Sequence, residues 1–510
     1  MPTSPLKKEL KLWFLIPACV VLAVLAFQPL DRAFRSMAYP FQLDYAEGFL
    51  AVEAHMISRG QGIYPTLNDY PYLVGNYPPL YPLMQAPFFL LFGPSLFWGR
   101  LICFLSGLGI AAAMFFIIHR RTGRILPAIL APLLLINTYA LYEWIGYARV
   151  DLPAIFFGIL GLAILASGQG RPRRTAALVF FLVSIYTKQI QLFAPASGCL
   201  WLILRERKTG IRFTAWFLGC AFGIFLLLNL VTGGRYFMHT VVYNANVFDW
   251  WQVKAWLRHI FLFYPFSLVT IIFFAIRHFL KWRGTEKRSM TPDLFTIYAL
   301  FGGLSFLAIG KVGAASNYLI EAHIALYIYL GIRVSMLGDS LEGERVKKQI
   351  PAIVVIAVLL NLQAVQLVRT SGSLFSRPNP DRTSLEKGRM MLDIVGRFPD
   401  PILCEQPIFQ LLAGKEVLFQ PFIMAQLQKE GKWDQGAFLE DIRTGRFSLL
   451  VTGQDIYGTS HFWQYTGEAI ESMRENYELY YRNQPVKRAF MESPSGGIPY
   501  YIYIPKKREI

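Results

Sequence analysis

Residues 98–124 read WGRLICFLSGLGIAAAMFFIIHRRTGR, an apolar run followed at once by His119, Arg120, Arg121 and Arg124. About twenty such residues, wound as a helix, are what the hydrocarbon core of a bilayer requires. Short cytoplasmic loops collect Lys and Arg because cationic loops resist translocation. The stretch therefore predicts both a membrane crossing and its direction.

Working outward, the same pattern recurs. About eleven apolar segments fit between Leu12 and Arg369, and basic clusters fall at every second junction. The segments lie near 12–27, 98–118, 125–143, 151–168, 175–189, 191–204, 213–231, 260–280, 293–310, 318–337 and 350–368. Lys7, Lys8 and Lys11 precede the first, and Arg171, Arg173 and Arg174 follow the fourth. Arg205, Arg207 and Lys208 follow the sixth; Lys281, Arg283, Lys287 and Arg288 the eighth; Arg345, Lys347 and Lys348 the tenth. The expected fold is an all-α polytopic membrane protein, N-terminus inside and C-terminus outside, carrying a small extracytoplasmic α/β domain at its end. Two long outer loops, about 31–97 and 232–259, interrupt the series.

Bulk composition agrees. With 510 residues, 54% of them hydrophobic, and a mean hydropathy of +0.38, the chain is excluded from the soluble class. The net charge of +17 resides mostly in the alternating clusters, so topology accounts for it and nucleic acid is not an expected partner. Cys19, Cys103, Cys199 and Cys220 sit in apolar runs and Cys404 stands alone, which makes no disulfide framework. The first segment lacks a small-residue cleavage site and reads as a retained helix.

Past residue 370 the composition changes. Residues 371–383, with Pro378 and Pro380, read as a linker, and 384–510 as a soluble α/β domain. Expected strands are Ile402–Cys404, Ser448–Thr452, Glu478–Arg482 and Tyr500–Ile504. Expected helices are Glu386–Phe398, Gly436–Thr444 and Gly467–Asn476.

In the first outer loop, Gln42-Leu43-Asp44-Tyr45-Ala46-Glu47-Gly48 opens a helix that runs to Arg59 along the membrane surface. Asp44 and Glu47, three apart, point to one region. Asp-x-x-Glu at a helix start is also a capping box, and the two roles are compatible, because a helix N-terminus keeps a carboxylate ionised. Asn76-Tyr77-Pro78-Pro79-Leu80 follows, where paired prolines preset an extended entry and then a helical turn. The 83–92 run after it is too short to span.

Three basic residues stand alone at expected outer helix ends: Arg149, Lys188 and Lys311. A lone cation there opposes the positive-inside bias and persists when an anion or counter-ion holds it. Arg149 has Asp151 nearby. Lys188 has no acid near it in sequence, and Glu321, inside the tenth segment, could turn back toward Lys311. The second outer loop supplies Tyr243, Asn244, Trp250 and Trp251, suited to sugar stacking or to anchoring at the interface.

At these residues the chain resembles the GT-C membrane glycosyltransferases of the family 39 type, which includes protein O-mannosyltransferases and the aminoarabinose transferase of lipid A. The resemblance covers residues 10–370. It rests on Asp44 and Glu47, the Tyr-Pro-Pro-Leu segment at 77–80, Gly99-Arg100-Leu101, Arg149-Val-Asp151, Thr187-Lys188-Gln189 and the 313–318 stretch containing Asn317. It implies transfer of a sugar from a polyprenyl-phosphate donor to a lipid, glycan or protein acceptor on the outer face of a bacterial inner membrane. It places the general base on Asp44 or Glu47, the donor phosphate on Lys311, Lys188 and Arg149, and further substrate contacts on Tyr77, Asp151, Asn317, Glu321, Tyr243 and Asn244. Some relatives hold a divalent metal and others none; without a His-rich ligand set, no metal is assigned here. The rival reading is a lipid or polysaccharide transporter without transfer chemistry. That reading expects polar or broken segments at mid-membrane, whereas here the polar residues sit at the outer ends.

Overall fold

The computed structural model describes residues 10–168, 170–284, 292–339, 346–458, 464–482 and 500–506. Of the basic clusters, Lys7, Lys8, Lys287, Arg288 and Arg345 lie outside the described residues.

Every apolar segment of the sequence falls on helix, although the boundaries shift for local reasons. The 98–118 run becomes Leu96–Thr122. Ser95 accepts a hydrogen bond from the Phe97 amide at its start, and Gly123, at φ 65°, closes its end in the left-handed conformation. His119, Arg120 and Arg121 occupy its last turn, where the helix dipole favours cations. The expected 125–143 segment is instead two helices, Ile125–Ile136 and Tyr139–Trp144. Thr138 caps the second through the Leu141 amide, and the Asn137 side chain donates to the carbonyl of Leu22 on the first segment.

Among the described residues, five helices are long and apolar enough to cross a membrane: Leu12–Ala38, Leu96–Thr122, Arg207–Val231, Ser316–Leu337 and Ile350–Leu374. A sixth span arises if Trp250–Phe263 and Pro265–Leu280, bent by 96° at Tyr264, are taken together. Pro265 lacks the amide that would continue the first of these, so the expected 260–280 segment begins at the break. Leu80–Phe92, Ile125–Ile136, Asp151–Ala166, Phe193–Arg205 and Leu294–Gly310 are apolar but shorter.

The expected linker is partly helical, because the eleventh segment continues to Leu374 and the next helix starts at Arg382. There Asp381 and Ser384 cap each other's backbone amides, which moves the start ahead of Glu386. Between them the chain is held to the bundle. Tyr142 donates to the carbonyls of Phe375 and Arg377, and buried Arg32 donates to those of Arg377 and Pro378.

Beyond the linker lie four strands: β1 (Ile402–Cys404), β2 (Leu449–Thr452), β3 (Tyr477–Arg482) and β4 (Tyr501–Pro505). They form one sheet in the order β1-β2-β4-β3, with β1 parallel to β2 and β4 antiparallel to both its neighbours. Two further helices pack on its opposite faces, Pro407–Leu412 against Ile402, Leu449 and Ile502 and Pro421–Lys429 against Leu403, Leu450 and Tyr503. The core of this part is continuous with that of the bundle: Ile402, Ile408, Phe409 and Ile502 share one buried cluster with Phe41, Leu43 and the membrane helices. The first outer loop also reaches in, pairing Tyr72 with Phe419 as an isolated parallel bridge.

Candidate active site

Asp44 is the N-cap of helix Tyr45–Ser58, accepting from the Ala46 amide at 3.1 Å while Glu47 bonds back in a reciprocal capping box. The capping expected of the Asp-x-x-Glu motif is present, and the structure separates its two acids. Glu47 is fully buried. Its carboxylate accepts five hydrogen bonds, from the amides of Leu43, Asp44 and Ala148 and from Nε and Nη2 of Arg100, at 2.7–3.2 Å. Burial alone would raise its pKa, but the Arg100 guanidinium and these donors outweigh it and hold the carboxyl below the usual range. Arg100 spends its remaining donors on the carbonyls of Ser36, Tyr39 and Phe41. Glu47 thus binds three segments together and has no oxygen left to offer.

Asp44 is different. About a quarter exposed, it meets Arg149 Nη1 at 2.6 Å. Arg149 lies on the loop after helix Tyr139–Trp144, its guanidinium over the Trp144 ring and its Nη2 3.5 Å from the Tyr77 hydroxyl. Burial works against its charge, and Asp44, Tyr77 and Asp151 outweigh that cost. The loop approaches closely because residue 99 is glycine: a Cβ there would lie 2.7 Å from that of Ala148.

The ion pair expected between Arg149 and Asp151 is stretched to 3.9 Å, because Asp151 is taken by other partners. Its Oδ1 accepts from Lys188 Nζ at 2.5 Å and from Asn317 Nδ2 at 2.7 Å. Lys188 therefore does have an acid, thirty-seven residues away, and its ammonium also sits 4.3 Å above the Tyr318 ring. It falls in the break between helices Arg171–Thr187 and Phe193–Arg205, which the sequence reading located as a junction.

Lys311 does not meet Glu321, contrary to the sequence expectation. Its Nζ donates to Asn244 Oδ1 at 2.7 Å, whereas Glu321 accepts from the Tyr298 hydroxyl at 3.4 Å. The reason is strand-like pairing of Phe248 with Lys311, which turns the lysine toward the second outer loop. Burial, reinforced by nearby Lys188, pulls Lys311 down to about 8. Asn244 and Gln189 both donate to the carbonyl of Asn76, so Lys311, the second outer loop and the Tyr77 segment share one polar seam. A small crevice lined by Asp151, Lys188, Gln191, Asn317, Tyr318 and Glu321 opens beside it.

Tyr243 stands apart from this cluster, its ring against His239 and packed on the core of the C-terminal part. Trp250 and Trp251 are exposed, at 62% and 77%, as interface anchors would be. Sequence reasoning gave no role to Arg100 or Glu143. Glu143 accepts from Arg377, Ser316 and Trp144, tying the linker to the loop before Asn317. The usable signal was the same for both, a charge inside an apolar segment. Among the described residues, no group of three or more His, Cys, Asp or Glu side chains is placed to hold a metal ion.

No protein-family profile matches the chain, and no curated protein matches it in sequence. Solved structures do resemble it. ArnT from Cupriavidus metallidurans, bound to undecaprenyl phosphate, superposes with a TM-score of 0.57 at 14% identity, over 95% of this chain and 97% of ArnT. The apo oligosaccharyltransferase of Archaeoglobus fulgidus gives 0.54 at 11%, over 94% and 81%. Its AglB complex with an inhibitory peptide and a dolichol-phosphate gives 0.51 at 12%, over 88% and 70%. At such identities the likeness establishes the fold, which is the GT-C fold that the sequence resemblance implied.

Proposed function

We propose that the chain is an inverting glycosyltransferase that moves a sugar from a polyprenyl-phosphate carrier to an acceptor at the outer face of a bacterial inner membrane. One observation carries the reading: the continuous run Asp44–Arg149–Asp151–Lys188, with Lys311 beside it, at one end of an apolar bundle. Lipid phosphates bound to two proteins of the same fold support it.

In this reading Asp44 is the base and Glu47 the brace. Asp44 keeps a partly exposed carboxylate, whereas every Glu47 oxygen is engaged. The acceptor hydroxyl gives its proton to Asp44 as its oxygen bonds the anomeric carbon. The bond from that carbon to the phosphate oxygen breaks, and its electron pair leaves with the lipid phosphate. Lys188 and Lys311 neutralise the charge that develops there. No glycosyl-enzyme is required, because the phosphate is already an activated leaving group. Tyr77 accepts from Arg149, Asn244 accepts from Lys311, and Asn317 holds the Asp151 carboxylate. The C-terminal part, bonded to Gln42 and Tyr45 on either side of Asp44, is the extracytoplasmic cover of the site in this reading.

Binding of undecaprenyl phosphate to the purified full chain tests the reading. Wild type should bind it, and the doubly substituted Lys188→Ala, Lys311→Ala chain should lose at least about a hundredfold in affinity, two charge-assisted contacts being removed. Equal binding by both chains would remove the phosphate site from this cluster.

A further inference from the structure

Arg149 stands between two carboxylates and is bonded to only one. Its Nη1 lies 2.6 Å from Asp44, while its Nε, though buried, has no hydrogen-bond partner. Asp151 Oδ2 is buried and equally without a hydrogen-bond partner, and the two atoms are 3.9 Å apart. A donor and an acceptor of opposite charge thus wait about 1 Å beyond bonding distance. Buried polar atoms are seldom left so. We propose that Arg149 is a donor-operated switch: when a lipid phosphate draws Lys188 away from Asp151, Arg149 moves from Asp44 to Asp151 and releases Asp44 to act as the base. The inference rests on the reading of Asp44 and the lysines given above.

Charge balance drives the exchange. Without donor, Asp44 and Asp151 are matched by Arg149 and Lys188, and Lys311 bonds the neutral Asn244. An incoming phosphate adds negative charge at the lysines. Lys188 turns toward it, which leaves Asp151 with Asn317 alone. Asp151 then attracts the nearest cation, and that is Arg149. Asp44 is not displaced by the move, because the Ala46 amide still holds it at the helix start. Its vacated lone pair can then take the acceptor proton. Before donor arrives, the guanidinium and the Ala46 amide share Oδ1, and the positive charge of Arg149 stands against the carboxylate where the acceptor proton must arrive. Donor therefore precedes acceptor, and Asp151 is a positioning residue that touches neither.

Infrared difference spectra of the full chain, recorded on adding undecaprenyl phosphate, test this directly. The Asp44 carboxylate band, identified by its loss in Asp44→Asn, should shift in wild type and stay still in Asp151→Asn. Asp151→Asn should bind undecaprenyl phosphate within about threefold of wild type yet lose at least tenfold, roughly, in kcat, with Asp151→Glu recovering part of the loss. Should Asp151→Asn fail to fold, Arg149→Gln, which has no charge to transfer between the two acids, should show the same unmoved band. Lipid binding with no Asp44 shift in wild type overturns the switch and leaves the phosphate site standing. Absence of lipid binding overturns the functional reading as well.

Discussion

Glu47→Gln separates a brace from a base. Glu47 Oε1 accepts from Arg100 Nε and the Ala148 amide, and Oε2 from Arg100 Nη2 and the amides of Leu43 and Asp44. Whichever way a glutamine is turned, its NH2 faces at least two of these donors. Arg100 meanwhile loses its only carboxylate while remaining fully buried. Breaking one side of a buried pair costs about 3–5 kcal/mol. Asp44→Asn differs in kind, because asparagine caps a helix as well as aspartate does and Arg149 keeps Asp151 beside it. A change of about 1 kcal/mol is expected there, because one hydrogen bond is weakened while asparagine can still accept from the guanidinium. In the purified full chain, heat unfolding followed by tryptophan fluorescence should fall by several degrees for Glu47→Gln and hardly move for Asp44→Asn. Sugar transfer should drop by about 10²–10⁴ for Asp44→Asn, the usual contribution of a general base. If Glu47→Gln unfolds at the wild-type temperature and abolishes transfer, while Asp44→Asn remains active, the assignment of the two acids is wrong.

Lys311, drawn down to about 8, carries its charge below that pH and loses it above. Undecaprenyl phosphate affinity should accordingly weaken as pH rises through 8, and Lys311→Arg should keep it to higher pH; an affinity flat from pH 7 to about 10 in wild type removes Lys311 from the phosphate site. Glu405, buried at the end of β1 and bonded by the Gly453 amide, is pushed up to about 8 by desolvation. Its folded pKa lies above the unfolded one, so the stability it contributes is complete below about 4.5 and is lost as pH rises through 8. Glu405→Gln should therefore narrow the drop in unfolding temperature between pH 6 and pH 9, and an unchanged drop assigns it to other groups.

What the sequence made legible followed chain-local rules. Alternating Lys and Arg clusters mark helix ends because charge selects a side of the membrane, and each apolar run did become helix. The expected helix Gly467–Asn476 and strand Ile402–Cys404 agree to the residue. The breaks at Asn137 and Tyr264 carry local marks, Thr138 as a cap and Pro265 as a stop, but the partners that hold them lie elsewhere: the Leu22 carbonyl for Asn137 and the Tyr139 amide for Tyr264. The same divide runs through the site. Arg149, Lys188 and Lys311 stood out because isolated charge is costly beside lipid, and Asp44 through its spacing from Glu47 at a helix start. The pairings did not, because Lys188 meets Asp151 thirty-seven residues away, Asn317 meets Asp151 across 166, and Arg100 meets Glu47 across 53.

The hydrogen bonds between the N-terminal loop and the far end of the chain have a consequence for biosynthesis. The Ile408 amide grips the Gln42 side chain two residues before Asp44, and the Phe422 amide grips the Tyr45 hydroxyl immediately after it. A nascent chain halted between residues 375 and 407 would carry every long apolar helix described above and yet lack both of these contacts to the Asp44 loop. The loop that carries Asp44 therefore reaches its final conformation only after the last stretch of the chain has docked on it.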